Sequence, residues 1–433
     1  MAVEWYVLVS CAIVPFLVTF LILPKQIKIM HKIDWIGHDI HKLAKPAVAE
    51  SGGISVLVGL VVGLVLLMIL APADAFIALA VLLSILCAAG IGFLDDKYRF
   101  SAFKKIAFSI FAAIPMAAFY WFTTIIPGDP AVPFLGFLRV PILFLPFIPG
   151  FLVVLMNATN MYEGYNGQGS STSIIAALCL IVGALINGSA IALVLSLVLL
   201  ASLLAFFSFN KFPAKVFPGD IGTLMTGMML GCIAIMGKLE FALIIALIPH
   251  IFNAFHVIRS VRGFKESNTI KVKDIDVVEG DLIKASTQKG APLTIPRILT
   301  AGKPLSEPDL VANIIALNVM PAVLSILSSV LIRVETTAVP VEFMAITLLL
   351  WIAIAVVLFI LLFKAFPAIR GLNVIFCLIY LFVLGLLVII DQFVVYLGFY
   401  NWLVAGAIAL AGLGAWYILS MKYFARILTR KGA

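Results

Sequence analysis

Charge is scarce in this chain. Only 12% of its 433 residues are Asp, Glu, Lys or Arg, about half of the roughly 25% typical of soluble globular domains. With 64% hydrophobic residues and a mean hydropathy of +1.20, the sequence excludes a soluble enzyme and reads as an integral membrane protein. The five cysteines all lie inside apolar runs and form no CxxC pair, which argues against disulfides and a thiolate metal site. No basic segment precedes the first apolar run, residues 5–23, and no small-residue cleavage site follows it, so it reads as a retained helix. Internal repeats and low-complexity tracts are also lacking.

Long apolar runs are what the chain does have. A span needs about 20 mostly apolar residues, and thirteen runs qualify or nearly do: 5–23, 52–71, 74–94, 103–122, 134–156, 172–187, 190–209, 221–237, 239–259, 310–333, 341–363, 371–391 and 399–421. Lys and Arg set the orientation. With the N-terminus outside, all but three of the 29 (Arg139, Lys238 and Arg333) lie in or beside the inner loops 24–51, 95–102, 157–171, 210–220, 260–309 and 364–370, or in the tail. The loop 260–309 mixes charge with Gly and Pro, and is expected to pack as a small cytoplasmic subdomain. The expectation is an all-α polytopic bundle: a core over 1–333 of ten spans, and a three-span extension over 334–433.

Among the inner carboxylates five stand near helix ends, Glu50, Asp95, Asp96, Glu163 and Asp220, and they come from four different loops. The stretch from Asn157 to Gly169, Asn-Ala-Thr-Asn-Met-Tyr-Glu-Gly-Tyr-Asn-Gly-Gln-Gly, adds three amides and three glycines where an apolar run ends. Amides are neutral metal ligands and base readers, and glycines admit a phosphate close to the backbone. Each feature alone has an ordinary alternative. Asp95-Asp96 can position a divalent cation, or simply end a helix in solvent. Asp220, in Phe217-Pro-Gly-Asp220, can hold a metal ion at a helix N-terminus, or cap that helix. Lys104 and Lys105 can meet a phosphate or anchor a span. Glu50 can bind sugar hydroxyls or cap a helix. His250, Asn253 and His256 share one helical arc, where hydrogen bonding inside the bundle is the favoured reading. The convergence of these groups on one face carries more weight than any of them singly.

At these residues the sequence resembles the polyprenyl-phosphate N-acetylhexosamine-1-phosphate transferases, over the first span to about residue 310. The eukaryotic and archaeal branch is nearest. Gly37-His-Asp39-Ile-His-Lys42 leading to Glu50-Ser51-x-Gly53 resembles its first inner loop, and Gly92-Phe-x-Asp95-Asp96 its aspartate pair. Lys105 falls at its acceptor-phosphate lysine. Asn157-x-x-Asn160 with Gly164-x-Asn166-Gly167, and Phe217-x-Gly219-Asp220, resemble its long signature and its metal motif. The resemblance implies that Asn160 and Asp220 hold Mg²⁺, with Mn²⁺ the alternative ion. It implies that Asn166 reads uracil beside Phe217, and that Glu50 and the strip His38, Asp39, Ile40 help hold the nucleotide-sugar. Lys105 and Asn157 would face the lipid phosphate, with Asp95 and Asp96 at the reacting centre. Gly164 and Arg297 complete the implied substrate contacts.

The sequence departs from that branch where an Arg-His-Arg cluster would precede Ile-Pro-Arg: here Pro292-Leu-Thr294 precede Ile295-Pro-Arg297. The His-rich motif of bacterial relatives is absent too, and the last three spans have no counterpart in the family core. The expected reaction transfers HexNAc-1-phosphate, GlcNAc-1-phosphate by the nearest branch, from a UDP-sugar to dolichyl or polyprenyl phosphate. It would release UMP on the cytoplasmic face of an archaeal plasma membrane, with an ER membrane second. Membrane lipids are expected partners and nucleic acid is not; a homodimer is left open. The rival of another class is a secondary transporter or lipid flippase, but the span centres are nearly free of the ionisable groups such a protein places at the midplane. A CDP-alcohol phosphotransferase would need four spaced aspartates on a helix, which the chain lacks.

Overall fold

The structure, a computed structural model, describes residues 4–397 except 124–128, 138–140, 266–268 and 337–340, with only isolated positions beyond 397. The first eight helices are α1 (Trp5–Lys32), α2 (Gly53–Leu70), α3 (Ala75–Tyr98), α4 (Ala102–Phe122), α5 (Pro141–Met161), α6 (Gln168–Asn187), α7 (Ala190–Asn210) and α8 (Gly219–Gly237). They are followed by α9 (Glu240–Ala246), α10 (Ile248–Ser260), α11 (Ile295–Thr300), α12 (Glu307–Thr336), α13 (Val341–Ala365) and α14 (Arg370–Leu397). Among the described residues, 11 helices are long and apolar enough to cross a membrane. Among the described residues the bundle is all-α apart from three two-stranded antiparallel pairs.

Three expectations about spans change. The ninth run is not one straight helix: α9 and α10 meet at 66°, because Pro249 cannot donate into a continuing helical ladder. The fifth run starts later, since a hairpin of β3 (Ala131–Val132) and β4 (Gly136–Phe137) occupies its expected first turn. It also ends later, so that Asn157 and Asn160 lie on the last turns of α5 and not in a loop. The thirteenth run, 399–421, lies outside the described residues.

Helix α8 is the axis of the bundle: 89% of its span is buried. Small residues let its neighbours come close, as membrane helices commonly require. Gly92 of α3 rests on the backbone of Asp220 and Ile221, Gly53 of α2 on Gly222, and Gly227 of α8 on Leu155 and Met156 of α5. A methyl group at any of these would meet main chain. This packing brings the C-terminal ends of α3 and α5 to the N-terminal end of α8, at one end of the bundle.

That end is closed by loops. Strands β1 (Ile36–His38) and β2 (Ala47–Ala49) pair antiparallel, and Val216 of the α7–α8 loop adds to Ala49 in a parallel bridge. Gln26 of α1 donates to the Ser51 carbonyl at 2.7 Å and fixes where α2 begins. Between α10 and α12, β5 (Ile275–Val278) and β6 (Leu282–Ala285) pair antiparallel. Their Ile275 and Ile283 share one apolar cluster with Phe252 of α10, Leu299 of α11 and Leu310 of α12. The loop therefore packs as a unit, but on the bundle and not apart from it. Helices α13 and α14 join the same cluster through Leu362, Phe376 and Tyr380. Most of their surface stays apolar and open, only 11% and 28% of the spans being buried, as a lipid-facing position allows.

Candidate active site

Helix packing alone places four chemical groups together. Lys105, on the first turn of α4, directs its ammonium between Asp95 Oδ2 (2.5 Å) at the end of α3 and Asp220 Oδ2 (2.8 Å) at the start of α8. From α5, Asn160 donates its amide to Asp220 Oδ1 at 2.6 Å and to Thr223 Oγ1 at 2.8 Å. Asp95 is further held by the Phe100 backbone N–H, at 2.6 Å. Two carboxylates, an amide oxygen within one rotation, and a hydroxyl form an oxygen-rich donor set of the kind Mg²⁺ and Mn²⁺ prefer. The Lys105 ammonium already occupies the cationic position between the carboxylates. The residues fit a hard divalent ion.

The paired aspartates separate in role. Asp96 accepts from the Asp220 backbone N–H at 2.7 Å and from Ser51 Oγ at 2.9 Å, so it caps α8 from a neighbouring helix. Gly219, at φ 66°, leaves room for it: a side chain there would strike Asp96 Oδ2. Of the two aspartates expected at the reacting centre, Asp95 thus faces Lys105 while Asp96 holds the Asp220 main chain. Asn157, one turn before Asn160, donates to Ser109 Oγ at 3.3 Å on α4, and Ser109 in turn donates to the Lys105 carbonyl. It sits beside the lysine, on the side away from the loops.

A second cluster lies in the loops. Asp39 and Glu307 hold the Lys42 ammonium between them, Glu307 at 3.1 Å. The Asn166 side chain donates to Asp39 Oδ2 at 3.1 Å, and its backbone N–H donates to Glu307 Oε1 at 2.8 Å. The His41 ring stacks on Tyr165, centroids 4.1 Å apart. Burial pushes the His41 imidazole down to about 4, so it is neutral at pH 7. Burial opposes charge on Asp39 as well, but its hydrogen bonds from Lys42 and Asn166 outweigh that and hold it below the usual carboxylate range. Asp39, His41 and Glu307 offer ligand atoms within 4.8 Å of one another, though Lys42 already neutralises the two carboxylates.

Glu50 stands between the clusters, half-buried beside Gly37 and within the field of Arg99, Asp220 and His38. Burial is the main reason its carboxyl is raised. Phe217 is fixed next to it by backbone bonds to Ala49 and Gly52, each 2.8 Å. His38 and Ile40 are exposed on the same rim, and Gly164 is exposed with room for a side chain. Arg297 departs from expectation. Its guanidinium is spent on the backbone carbonyls of Ser286, Ala291 and Pro292, at 2.7–3.2 Å, so it braces its own loop and does not reach either cluster. Glu163 is turned inward with Oε2 against Gly169, lining a small cavity with Thr159, Ser170 and Thr226; burial pushes its carboxyl up to about 8. His250 and Asn253 serve packing: His250 touches Thr172 and Tyr162, and Asn253 links the Met161 carbonyl to the Ile295 N–H. Sequence reasoning missed Glu307. Its only signal is an acidic first turn on an apolar helix, which helices use generally.

The glycosyl transferase family 4 sequence model matches residues 78–238, the segment from α3 to the end of α8 that builds the first cluster. A putative UDP-N-acetylglucosamine–dolichyl-phosphate N-acetylglucosaminephosphotransferase of Sulfolobus acidocaldarius is 35% identical over 269 residues, 60% of this chain and 80% of the relative. The chain belongs to the polyprenyl-phosphate N-acetylhexosamine-1-phosphate transferase superfamily. A protein of the same description from Saccharolobus solfataricus is 33% identical over 55% of this chain and 74% of its own length. A phospho-N-acetylmuramoyl-pentapeptide-transferase of Clostridium beijerinckii is 30% identical over 58% and 81%. The Sulfolobus and Saccharolobus proteins, at 35% and 33%, are more similar to this chain than the Clostridium protein at 30%.

Proposed function

We propose that this protein transfers HexNAc-1-phosphate from a UDP-sugar to a polyprenyl phosphate and releases UMP. GlcNAc-1-phosphate and dolichyl phosphate are the favoured pair, as named for the archaeal relatives, and the product would begin a lipid-linked glycan for N-glycosylation. The observation that carries the reading is the Lys105–Asp95–Asp220–Asn160 centre at one end of an apolar bundle. The end in question also holds most of the Lys and Arg, which supports a cytoplasmic site in an archaeal plasma membrane.

In the reaction an oxygen of the lipid phosphate forms a bond to the β-phosphorus of the donor. The bond from that phosphorus to the bridging oxygen breaks, and its electron pair leaves on UMP. The sugar C1–O bond is untouched, so the anomeric configuration is kept. The difficulty is electrostatic, because one anion attacks another. A divalent ion held by Asp220 and Asn160, Mg²⁺ by preference, would supply charge stabilisation on the pyrophosphate. Lys105 supplies a fixed positive charge for the acceptor phosphate, with Asn157 and Ser109 beside it. Asp95 orients that ammonium; no strong base is required, since a phosphate monoester is ionised at neutral pH. Asp96 holds the α8 N-terminus, and with it Asp220, at the centre.

The test is the identity of the product. Purified protein in detergent with UDP-GlcNAc, dolichyl phosphate and Mg²⁺ is expected to give a lipid carrying GlcNAc and two phosphates by mass spectrometry. A lipid carrying one phosphate, or none formed from any UDP-HexNAc, would overturn the reading and bring lipid or solute transport forward.

A further inference from the structure

The orientation of one amide carries a further consequence. Asn166 is 3% exposed, and its Nδ2 faces carboxylate oxygens: Asp39 Oδ2 at 3.1 Å and Glu307 Oε2 at 3.5 Å. A carboxylate only accepts hydrogen bonds, so this arrangement allows the amide just one sense. Lys42 donates to Asp39 Oδ2 and Glu307 Oε2, the same two oxygens that face the amide, so those oxygens act as acceptors there and not as donors. Glu307 Oε1 also takes the Asn166 backbone N–H, which fixes the residue at its root. Among the described residues no donor reaches Asn166 Oδ1. The amide is thus a committed acceptor: its NH₂ is consumed and its carbonyl oxygen is free.

We propose that Asp39 and Glu307 are positioning residues that make the site select a nucleobase bearing an N3–H, uracil and not cytosine, by presenting Asn166 as an acceptor only. The inference rests on the nucleotide-sugar reading above, with Asn166 meeting the base. Uracil N3 carries a hydrogen and donates to Asn166 Oδ1. Cytosine N3 has a lone pair in that place and would set acceptor against acceptor. A free asparagine would serve both bases by turning over; the carboxylates forbid the turn. The geometry points to Glu307 as the reason that the start of α12 belongs to the site, although it lies far along the chain from every other member.

The experiment measures inhibition of lipid-linked sugar formation by UMP, CMP and N3-methyl-UMP. In the wild type both CMP and N3-methyl-UMP are expected to inhibit at least about tenfold more weakly than UMP, the scale of one unpaired buried polar group. In Asp39→Asn the new side chain can face Asn166 with either oxygen or nitrogen. The UMP-to-CMP preference is then expected to shrink to within a few-fold, chiefly by a loss of UMP affinity. Glu307→Gln retains an oxygen for the Asn166 N–H and serves as the second variant should Asp39→Asn fail to fold; the same narrowing is expected. Equal weakening of UMP and CMP in either variant would mean a merely structural role and overturn the proposal. So would N3-methyl-UMP inhibiting the wild type as well as UMP. A wild type that forms no lipid-linked sugar at all would instead count against the transferase reading.

Discussion

Two lysines in this protein are each clasped by two carboxylates from distant segments, and the two clasps differ in what surrounds them. Lys105, 10% exposed, lies between Asp95 at 3% and Asp220, whose side chain is 27% exposed. Lys42, itself 16% exposed, lies between Asp39 and Glu307, both carboxylates only 3% exposed. The first clasp is ringed by Asn160, Thr223 and Asn157, groups that can shift between protein and ligand. The second is closed by an Asn166 side chain whose donors are already used. An open clasp can share its carboxylates with another cation and offer its lysine to an incoming anion. A closed one fixes geometry. In the proposed reading, similar ion clusters serve as a reactive centre in one place and a rigid reader in the other, and the exposed Asp220 carboxylate is what sets the first apart.

If the open clasp does the chemistry, its loss has the largest effect. Asp220→Asn, isosteric and uncharged, is expected to lower kcat roughly a hundredfold to a thousandfold, the range for losing one transition-state electrostatic contact. Steady-state UMP release checks this, with thermal unfolding showing the variant folded. Asp96 supports that clasp without reaching the substrate, so Asp96→Ala should act first on stability. Losing its charged hydrogen bonds to the α8 N–H and Ser51 should destabilise by about 2 kcal/mol, read as a lower unfolding midpoint in detergent.

The closed clasp should show itself through pH. His41, stacked beside it, has an ordinary value of 6.5 that burial lowers to about 4 in the folded protein. A depressed group stabilises the fold fully above its unfolded value, and the stability drains away as pH falls toward the folded one. The unfolding midpoint should therefore decline between about pH 6.5 and 4, and His41→Phe should flatten that decline; an unchanged slope would place the titration elsewhere. Glu163 gives an effect of opposite sense. Its carboxyl, raised from 4.5 to about 8 by burial, weakens the fold as pH rises through that window. Glu163→Gln should remove this alkaline loss and change little at pH 5, as a melting series would register.

Much of this was legible in sequence because the bilayer imposes simple rules. Apolar length placed the helices, and the bias of Lys and Arg gathered Asp95, Lys105, Asn160 and Asp220 at one end before any contact was known. What escaped notice depended on local geometry. Polar Asn157 and Asn160 looked like loop residues, yet helix α5 carries them because their neighbours on α4 and α8 satisfy them. The single Pro249 bends a run that hydropathy treats as continuous. Asp95 and Asp96 are adjacent in sequence but face different partners, as neighbours on a helix do. Arg297 matches a substrate motif in sequence, yet its guanidinium makes four hydrogen bonds to carbonyls of its own loop. Glu307 was hidden since its partners, Lys42 and Asn166, lie 265 and 141 residues away.

The division between the two clasps is tested most directly by comparing Lys105→Met with Lys42→Met in one kinetic series, varying UDP-GlcNAc at saturating dolichyl phosphate. Lys105→Met is expected to lose kcat with the donor KM little changed, because that charge meets the reacting phosphates. Lys42→Met should keep most of kcat and raise the donor KM, because what it loosens is the nucleotide reader. The reverse pattern, or equal losses of kcat in both, would contradict the assignment of chemistry to one clasp and recognition to the other.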